Sequence, residues 1–377
     1  MINSELFKHD FIVLGGEHYN PLGIVRSLGE EGIRPIVVTL NSKLKVTSSS
    51  KYCGEIYHVN STEEGYELII EKFGNGHKKR PFVLASDDPT TSFFDQKYEE
   101  AREKFIFYNA GKQGRITEIM EKQRLCDLAE KHGLSIPRTF KVKTGEVPEG
   151  LEYPVLTKAD DSFAGNWKAA THICKNEEEL RKAFKEIKQD RVLIQKYIKK
   201  KNELCLDGYS WNGGKNVFIA IASNYKYVLP DRYSYYMDVF NFHNEKLQKA
   251  LEGMFAEIGF EGIFSIEFLV DQNDDLYFLE INFRNSTWSY AATKAGMNLV
   301  TGWCSAMLEG DTHKPVYTDV PTGFTAMVEI SDFKTRVAGR RCGIGQWIKD
   351  VKNCNCTFYY DKNDKKPLRT AIFSKLF

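Results

Sequence analysis

The segment GIFSIEFLVDQNDDLYFLEINFRN, residues 262 to 285, alternates apolar and polar residues in two runs joined by a polar cluster. Successive side chains of a strand point to opposite faces, so two such runs around Gln272–Asp275 predict a β-hairpin. A turn centred on this cluster places Glu267 opposite Glu280. The apolar residues that alternate with them are expected in the core, namely Phe264, Ile266, Phe268, Val270, Leu279, Ile281 and Phe283.

The polar face of this hairpin carries Glu267, Glu280, Asn282 and Arg284. Like charges directly opposite each other in a sheet are destabilising unless something neutralises them. Two carboxylates and an amide oxygen suit Mg²⁺, which also binds phosphate oxygens, and Arg284 adds a cation for phosphate or an oxyanion. A protonated glutamate or a nearby lysine would also relieve the repulsion, and an ordinary half-exposed strand is the alternative without a ligand.

Composition limits the class of protein. With 377 residues, 42% of them hydrophobic, the chain can bury a large core and divide into two or three subdomains. A net charge of +1 gives no support for a nucleic-acid or anionic-membrane partner. The N-terminus lacks the apolar region of a signal peptide, and no run approaches the roughly 18 apolar residues of a membrane span. A soluble, cytoplasmic protein is expected, and eight cysteines without a CxxC pair predict reduced thiols.

The first hundred residues alternate strand and helix patterns. Strands are predicted at 11–16, 34–40 and 81–88, with an amphipathic helix after the first, which indicates a parallel sheet. Ligands of such sheets bind beyond the C-terminal strand ends. The candidates there are Gly15, Gly16, Glu17, Asn20, Ser86, Asp87 and Asp88. The stretch GGEHYNPLG is not G-x-G-x-x-G, and the second strand ends without an acidic residue, which argues against dinucleotide binding.

The middle of the chain continues the alternation. A helical pattern starts at 115 and is closed by Gly133 and Pro137, and a strand that carries Lys158 at its end follows. Asn176 is the expected N-cap of the next helix, and residues 191 to 214 predict two further strands. The basic run at 199 to 201 is typical of a solvated turn.

In this order, the motifs resemble those of the ATP-grasp ligases over about residues 10 to 310, most specifically in the spacing E-x12-E-x-N-x-R. The resemblance implies a mixed α/β and α+β architecture. Its expected parts are a Rossmann-like parallel-sheet domain (1–112), a small lid subdomain (113–190), an antiparallel-sheet large subdomain with the metal site (191–314) and a C-terminal appendage (315–377). The start and the tail of the chain are similar to the D-aspartate ligase and carbamoyl-phosphate-synthase-like branch.

The resemblance also assigns roles to residues. ATP would be bound by Lys122, Lys158, Gln195, Lys196, Tyr197, Ile198 and Glu203, the lysines at the phosphates, the four hinge residues at adenine and the glutamate at the ribose. Glu267, Glu280 and Asn282 match the ligands of two Mg²⁺ ions, with Mn²⁺ as the alternative metal. Arg284 and Lys158 match the residues that act on the transferred phosphate.

Two features depart from the family pattern. The loop over the phosphates is usually glycine-rich, whereas residues 160 to 167 here contain one glycine and two aromatic residues. This loop is expected either to be stiffer or to close over the nucleotide as a lid with Trp167. The hinge usually opens with glutamate and here opens with Gln195.

The substrate residues are harder to predict. The candidates are Gly16, Glu17, Asn20, Asp87, Asp88, Arg232, Ser286 and Thr287. Arg232 lies in the tyrosine-rich stretch NYKYVLPDRYSYYMD, where a bidentate arginine could hold a substrate carboxylate. An aromatic edge packed on a neighbouring subdomain is the alternative for that stretch, and a helix cap beside a packed Trp288 is the alternative for Ser286 and Thr287.

The implied reaction is carboxylate activation by ATP and coupling of the acyl phosphate to an amine. Positioning and charge neutralisation would supply most of the catalysis. A kinase on the same fold and a non-catalytic nucleotide-binding protein are the alternatives. A kinase would release ADP without phosphate. Small-molecule substrates are the expected partners, and family precedent favours a homodimer.

Overall fold

The computed structural model of the chain describes residues 3–159, 171–229 and 233–373. The chain forms two compact units: unit 1 comprises Met1–Gly133, Asn202–Phe268 and Leu279–Phe377, and unit 2 comprises Leu134–Lys201 and Leu269–Phe278. The four parts predicted from the sequence divide the chain more finely and stay a prediction. No helix among the described residues is both long and apolar enough to cross a bilayer.

Unit 1 begins with a parallel sheet in the order β3-β2-β1-β4-β5. Its strands are β1 (Phe11–Gly15), β2 (Ile36–Leu40), β3 (Ile56–Val59), β4 (Phe82–Ala85) and β5 (Ile106–Phe107). The helices of this part are α1 (Tyr19–Glu30), α2 (Thr62–Phe73), α3 (Asp88–Gln96), α4 (Tyr98–Ala101), α5 (Arg115–Ile119) and α6 (Lys122–Lys131). The strands predicted from the sequence are present with shorter bounds, and Ile12, Leu14, Val38 and Val83 lie in the core beneath them.

The described residues of unit 2 form a four-stranded sheet in the order β6-β9-β7-β8 and the helix α7. The elements are β6 (Thr139–Lys143), β7 (Val155–Ala159), β8 (Ile173–Cys174), α7 (Glu177–Glu186) and β9 (Arg191–Lys196). Asn176 caps α7 as predicted, because its side-chain oxygen accepts the N–H of Glu179 at 3.0 Å. The loop residues 160–167, whose closure over the nucleotide was predicted, lie outside the described residues.

The rest of unit 1 is built on a seven-stranded sheet in the order β14-β13-β10-β11-β12-β15-β16. Its strands are β10 (Asn202–Trp211), β11 (Asn216–Tyr225), β12 (Tyr236–Phe240), β13 (Gly262–Val270), β14 (Leu276–Asn282), β15 (Thr325–Met327) and β16 (Cys356–Thr357). The helices are α8 (Glu245–Ile258), α9 (Ser289–Lys294), α10 (Leu299–Glu309), α11 (Glu329–Phe333), α12 (Ile344–Asn353) and α13 (Lys366–Phe373).

The predicted hairpin is formed by β13 and β14, which are neighbours in this sheet. The carboxylate of Asp271 holds the turn by accepting the N–H groups of Asn273 and Asp275 at 2.8 and 3.0 Å. Asp274 adopts a left-handed conformation with φ of 67°. Aspartate tolerates this conformation because its short side chain can bond locally to the backbone.

Most of the hairpin residues predicted in the core are buried, namely Phe264, Ile266, Phe268, Ile281 and Phe283. Val270 and Leu279 are only half-buried, so the prediction is wrong for these two. Phe278 alternates along β14 in step with Glu280 and Asn282 on the polar face, yet it is 1% exposed. Its backbone N–H donates to the carbonyl of Ser135 at 2.8 Å within unit 2, so this end of β14 is covered by another segment.

The C-terminal segment is integrated into unit 1, whereas the sequence predicts only an appendage there. Strand β15 pairs with β12 and with β16, so the segment extends the seven-stranded sheet. Arg26 of α1 is fully buried and donates to the Asp364 carboxylate at 3.0 Å. Glu329 is also buried, and its carboxylate accepts the backbone N–H groups of residues 358, 359 and 360.

Candidate active site

The four polar residues of the hairpin motif surround one cavity in unit 1. Glu267 extends from β13, Glu280 and Asn282 from β14, and Arg284 follows β14 directly. All four line a cavity of about 250 Å³. The alternation that buries the apolar face of the hairpin therefore presents these side chains together on the opposite face.

The carboxylates of Glu267 and Glu280 repel each other in a region with little access to solvent. Burial raises the pKa of Glu267, and the negative charges of Glu280 and Glu203 raise it further, while Arg284 opposes the increase. The Glu267 carboxyl therefore retains a proton more readily than an exposed glutamate does, and a bound cation would release that proton.

Arg284 is oriented by a carboxylate from the parallel sheet. Its Nε donates to Asp88 Oδ1 at 2.8 Å and its Nη2 donates to Asp88 Oδ2 at 3.1 Å, a bidentate ion pair. Nη2 also donates to Asn282 Oδ1 at 2.9 Å. Asp88, a substrate candidate from the sequence, thus contacts the catalytic candidate directly and holds its guanidinium plane.

The residues fit a divalent cation with one adjustment. The NH₂ group of Asn282 donates to Glu267 Oε1 at 3.3 Å, and its amide oxygen faces Arg284. Metal binding needs that oxygen, so the amide has to rotate away from Arg284 when a cation joins the carboxylates. Within the described residues no group of three or more His, Cys, Asp or Glu side chains is arranged for a metal. A metal here would therefore need ligands beyond the two carboxylates, such as amide and phosphate oxygens.

The first βα loop is fixed to the segment after β14. The side-chain NH₂ of Asn20 donates to the carbonyl oxygens of Ser86 and Asn285, both at 3.0 Å. Asn20 is 7% exposed. These bonds join the ends of β1 and β4 to the end of β14, so this substrate candidate also has a structural role.

The other candidates in the parallel sheet are partly engaged. Glu17 is 5% exposed, and its Oε2 accepts the N–H of Ser48 at 3.1 Å. The carbonyl of Gly16 accepts the Thr47 hydroxyl at 3.1 Å. Asp87 caps α3 by accepting the N–H of Thr90 at 2.8 Å. In this structure these residues shape the strand ends, and their contact with a substrate stays a prediction.

His18 lies beside this group and was missed by the sequence analysis. Its Nδ1 accepts the N–H of Asn20 at 3.2 Å, which assigns the proton of the neutral ring to Nε2. Burial lowers the pKa of His18, and the positive charge of Arg284 lowers it further, against the opposing charge of Asp87. The ring is therefore neutral at physiological pH. A lone histidine in a βα loop gives no sequence signal for such a contact.

Ser286 and Thr287 both line the cavity. The Ser286 hydroxyl donates to Asp207 Oδ1 at 2.6 Å, and the Ser289 hydroxyl donates to the same oxygen at 2.9 Å. Asp207 was missed by the sequence analysis. The available signal was an aspartate inside the otherwise apolar strand run LCLDGYSW.

Aromatic rings form much of the remaining cavity wall. Tyr225, Tyr233 and Tyr235 line it, as do Tyr19 and Trp288. Tyr227, from the same tyrosine-rich stretch, has another partner, because its hydroxyl donates to Asp332 at 2.7 Å. Arg232, which was predicted to hold a substrate carboxylate, lies outside the described residues.

The predicted nucleotide residues are found in both units. In unit 1, Lys122 is exposed at the start of α6. Glu203 is 6% exposed, and Tyr225 donates to its carboxylate at 2.8 Å, so this side chain is buried.

In unit 2, Lys158 Nζ donates to Gln195 Oε1 at 2.7 Å, and Gln195 Nε2 donates to Thr139 Oγ1 at 2.8 Å. Gln195, at the position of the usual hinge glutamate, therefore accepts a hydrogen bond from Lys158 and donates one to Thr139. Lys196 pairs with Glu152, the Tyr197 N–H donates to the Pro154 carbonyl, and Ile198 follows directly. Nucleotide contact by these residues stays a prediction.

Comparison with known proteins places the fold. No family model matches the chain. The curated N5-carboxyaminoimidazole ribonucleotide synthase of Staphylococcus aureus is 28% identical over 140 residues. This match spans only 35% of the chain and 35% of that relative.

Similar solved structures cover much more of the chain. The N5-carboxyaminoimidazole synthetase from Staphylococcus aureus has a TM-score of 0.62 and 16% identity over 88% of this chain and 85% of that one. The L-amino acid ligase from Bacillus licheniformis has a TM-score of 0.58 and 15% identity, over 82% and 75%. Biotin carboxylase from Campylobacter jejuni has a TM-score of 0.60 and 16% identity, over 84% and 73%.

These neighbours are ATP-grasp carboxylate–amine ligases, and the chain has the ATP-grasp fold. The resemblance inferred from the sequence is confirmed at this level. Its finer part, the D-aspartate ligase and carbamoyl-phosphate-synthase-like branch, stays a prediction.

Proposed function

We propose that the protein is an ATP-dependent carboxylate–amine ligase, which phosphorylates a carboxylate and couples the acyl phosphate to an amine. The observation that carries this proposal is the convergence of Glu267, Glu280, Asn282 and Arg284 on one cavity. The fold supports it, since the neighbours with this fold include an L-amino acid ligase and biotin carboxylases.

ATP and Mg²⁺ are the proposed co-substrate and metal. Neighbours with this fold have been solved with ADP and with its magnesium salt. In this chain Glu267, Glu280 and Asn282 would hold the metal, with two ions as the expected number. When bound, Mg²⁺ would neutralise phosphate charge and relieve the repulsion between the two glutamates. Lys122, Lys158, Gln195, Lys196, Tyr197, Ile198 and Glu203 are the proposed nucleotide residues.

The first half-reaction activates the carboxylate. One oxygen of the substrate carboxylate attacks the γ-phosphorus of ATP, the bond to the β–γ bridging oxygen breaks, and ADP leaves. A carboxylate is otherwise a poor electrophile because attack on it would build up a second negative charge. Arg284 would stabilise the charge on the transferred phosphoryl group, and Asp88 keeps its guanidinium in one plane for that task.

The second half-reaction forms the amide bond. The amine lone pair attacks the carbonyl carbon, the tetrahedral adduct collapses, and phosphate leaves with the former carboxylate oxygen. The cavity wall of tyrosines and Trp288 would limit access of water, which competes with the amine for the acyl phosphate. The neighbouring Ser286 and Thr287 are the proposed contacts at the acyl end.

The test is release of ADP and inorganic phosphate from ATP and Mg²⁺, measured with pooled small carboxylates and pooled amino acids. The proposal predicts that phosphate release needs both a carboxylate and an amine and disappears in Glu280→Gln. Glu103→Gln is the control, because Glu103 is 79% exposed and lies outside the cavity. ADP without phosphate would mean a kinase. ATP binding with neither product would contradict the ligase for these substrates.

A homodimer is also proposed, since one neighbour was solved as a dimer.

A further inference from the structure

Asp207 is a fully buried carboxylate beside the candidate active site. It lies in β10 with 0% exposure. Two serine hydroxyls of the segment after β14 face it, because Ser286 and Ser289 donate to Oδ1 at 2.6 and 2.9 Å. Within the described residues no cation pairs with this carboxylate.

One of these two serines, Ser286, reaches the cavity. Ser265 and Ser286 line it together with Glu267 and Glu280. The Ser286 oxygen accepts the N–H of Trp288 at 3.2 Å, and its own proton points to Asp207. The Ser286 hydroxyl therefore connects the cavity to the buried carboxylate through one hydrogen bond.

A negative charge at this position is costly and is not needed for the hydrogen bonds. Burial disfavours the ionised form, and among the described residues the titratable groups that interact with it are Glu267 of β13 and Cys205 of β10, neither of which is a cation. An asparagine oxygen could accept the same serine hydroxyls without this cost. The property that aspartate adds is the ability to take up a proton.

The proposed reaction needs such a group. An amine substrate is an ammonium ion at neutral pH, and it must lose one proton before its lone pair can attack the acyl phosphate. The glutamates of the cavity are assigned to the metal in the proposed function. They are therefore unsuited to take that proton.

We propose that Asp207 accepts the proton of the amine substrate through Ser286. An ammonium proton passes to the Ser286 oxygen while the Ser286 hydroxyl proton passes to Asp207 Oδ1. The freed lone pair attacks the carbonyl carbon, and the second nitrogen proton leaves with the phosphate. Asp207 returns its proton to solvent after product release. Asp207 is a positioning residue that acts through Ser286, and the inference rests on the proposed ligase function.

The test separates the two half-reactions with hydroxylamine, a nucleophile that is largely unprotonated at neutral pH. Asp207→Asn is assayed for hydroxamate formation with hydroxylamine and for amide formation with the pooled amino acids, both with the carboxylate pool. We expect amide formation at pH 7 to fall by about 10²-fold, the usual size of a general-base contribution, with hydroxamate formation close to wild type. In the wild type, the rate of amide formation should rise with pH as Asp207 ionises. This rise should be absent in Asp207→Asn.

Serine variants provide the controls. Ser286→Ala should cause the same selective loss and Ser286→Thr should restore amide formation. Ser92→Ala should have little effect, because the Ser92 hydroxyl bonds to Met120 Sδ and Ser92 lies outside the cavity. An equal loss of hydroxamate and amide in Asp207→Asn, or an equal effect of the two alanine variants, would overturn the relay. Wild-type protein that forms neither product would instead contradict the proposed function itself, and the relay with it.

Discussion

Among the single side chains, Arg284 links the strand of the metal motif to the parallel sheet of unit 1. It follows the metal-motif strand, and its bidentate partner Asp88 begins α3 at the end of the parallel sheet. A planar guanidinium can meet both oxygens of Asp88 at once, whereas the ammonium of lysine is a single point charge. Orientation therefore distinguishes arginine from lysine at this position.

We predict that Arg284→Lys lowers ATP-dependent turnover by about 10²-fold, which is the usual effect of removing one stabilising donor at a reacting oxyanion. The measurement is the rate of ADP release with the active substrate pools. Arg124→Lys is the matched control, because Arg124 is 51% exposed and pairs only with surface glutamates in the described structure. Equal rates for the two variants would contradict the assigned role of Arg284.

Asp207 should make the stability of the fold depend on pH. Burial raises its pKa from 3.8 to about 6, so the folded protein binds this proton more tightly than the unfolded chain. The resulting stabilisation is complete below pH 3.8 and is lost as pH rises through about 6, with an upper limit of about 3 kcal/mol. In Asp207→Asn, this pH-dependent loss of unfolding free energy should be absent.

The measurement is urea unfolding of wild type and Asp207→Asn between pH 4 and pH 7. The difference between the two unfolding free energies isolates this group from other carboxyls such as Glu267. The variant should gain stability relative to wild type as pH rises through that window. A difference that does not change with pH would mean that Asp207 keeps an ordinary pKa.

At the scale of elements, the C-terminal segment is fastened by buried charges. Arg26 on α1 donates to the Asp364 side chain and to the carbonyl oxygens of residues 358, 359 and 364. Asp364 in turn accepts the Ser50 hydroxyl at 2.7 Å. Removing one member of such a pair leaves the other charge buried without its partner.

We predict that Asp364→Ala lowers the free energy of unfolding by about 3–5 kcal/mol, the usual cost of breaking a buried pair. Urea unfolding at neutral pH measures it. Asp319→Ala, at an exposed position, should change the free energy by no more than about 0.5 kcal/mol. A similar small change in Asp364→Ala would mean that the ion pair does not fasten the segment.

The elements differ in how far the sequence predicts them. The hairpin, its polar face and the Asn176 cap follow from side chains within a few residues of each other, so a local pattern was enough. The burial of Phe278 depends on Ser135, and the position of the C-terminal segment depends on the bond between Arg26 and Asp364. Such contacts between distant residues leave no periodic signal. The same reason explains why Asp207 was missed, since its serine partners lie in other elements.

At the scale of the whole molecule, ligand binding should be visible as stability. A ligand that binds only the folded state adds about 2.7 kcal/mol when present at 100 times its dissociation constant. We predict that ATP raises the thermal unfolding temperature more with Mg²⁺ than with EDTA. This extra increase should disappear in Glu280→Gln and persist in Glu103→Gln. An equal rise in all conditions would show that the metal does not use Glu280.

The central claim is that a carboxylate oxygen becomes bonded to the γ-phosphorus of ATP. A direct measurement labels the carboxylate oxygens of both substrate pools with oxygen-18 and analyses the released phosphate by mass spectrometry. We expect each phosphate formed in amide synthesis to carry one labelled oxygen, and Glu280→Gln to release no labelled phosphate. Unlabelled phosphate, released together with the amide product, would contradict the acyl phosphate and with it the proposed function.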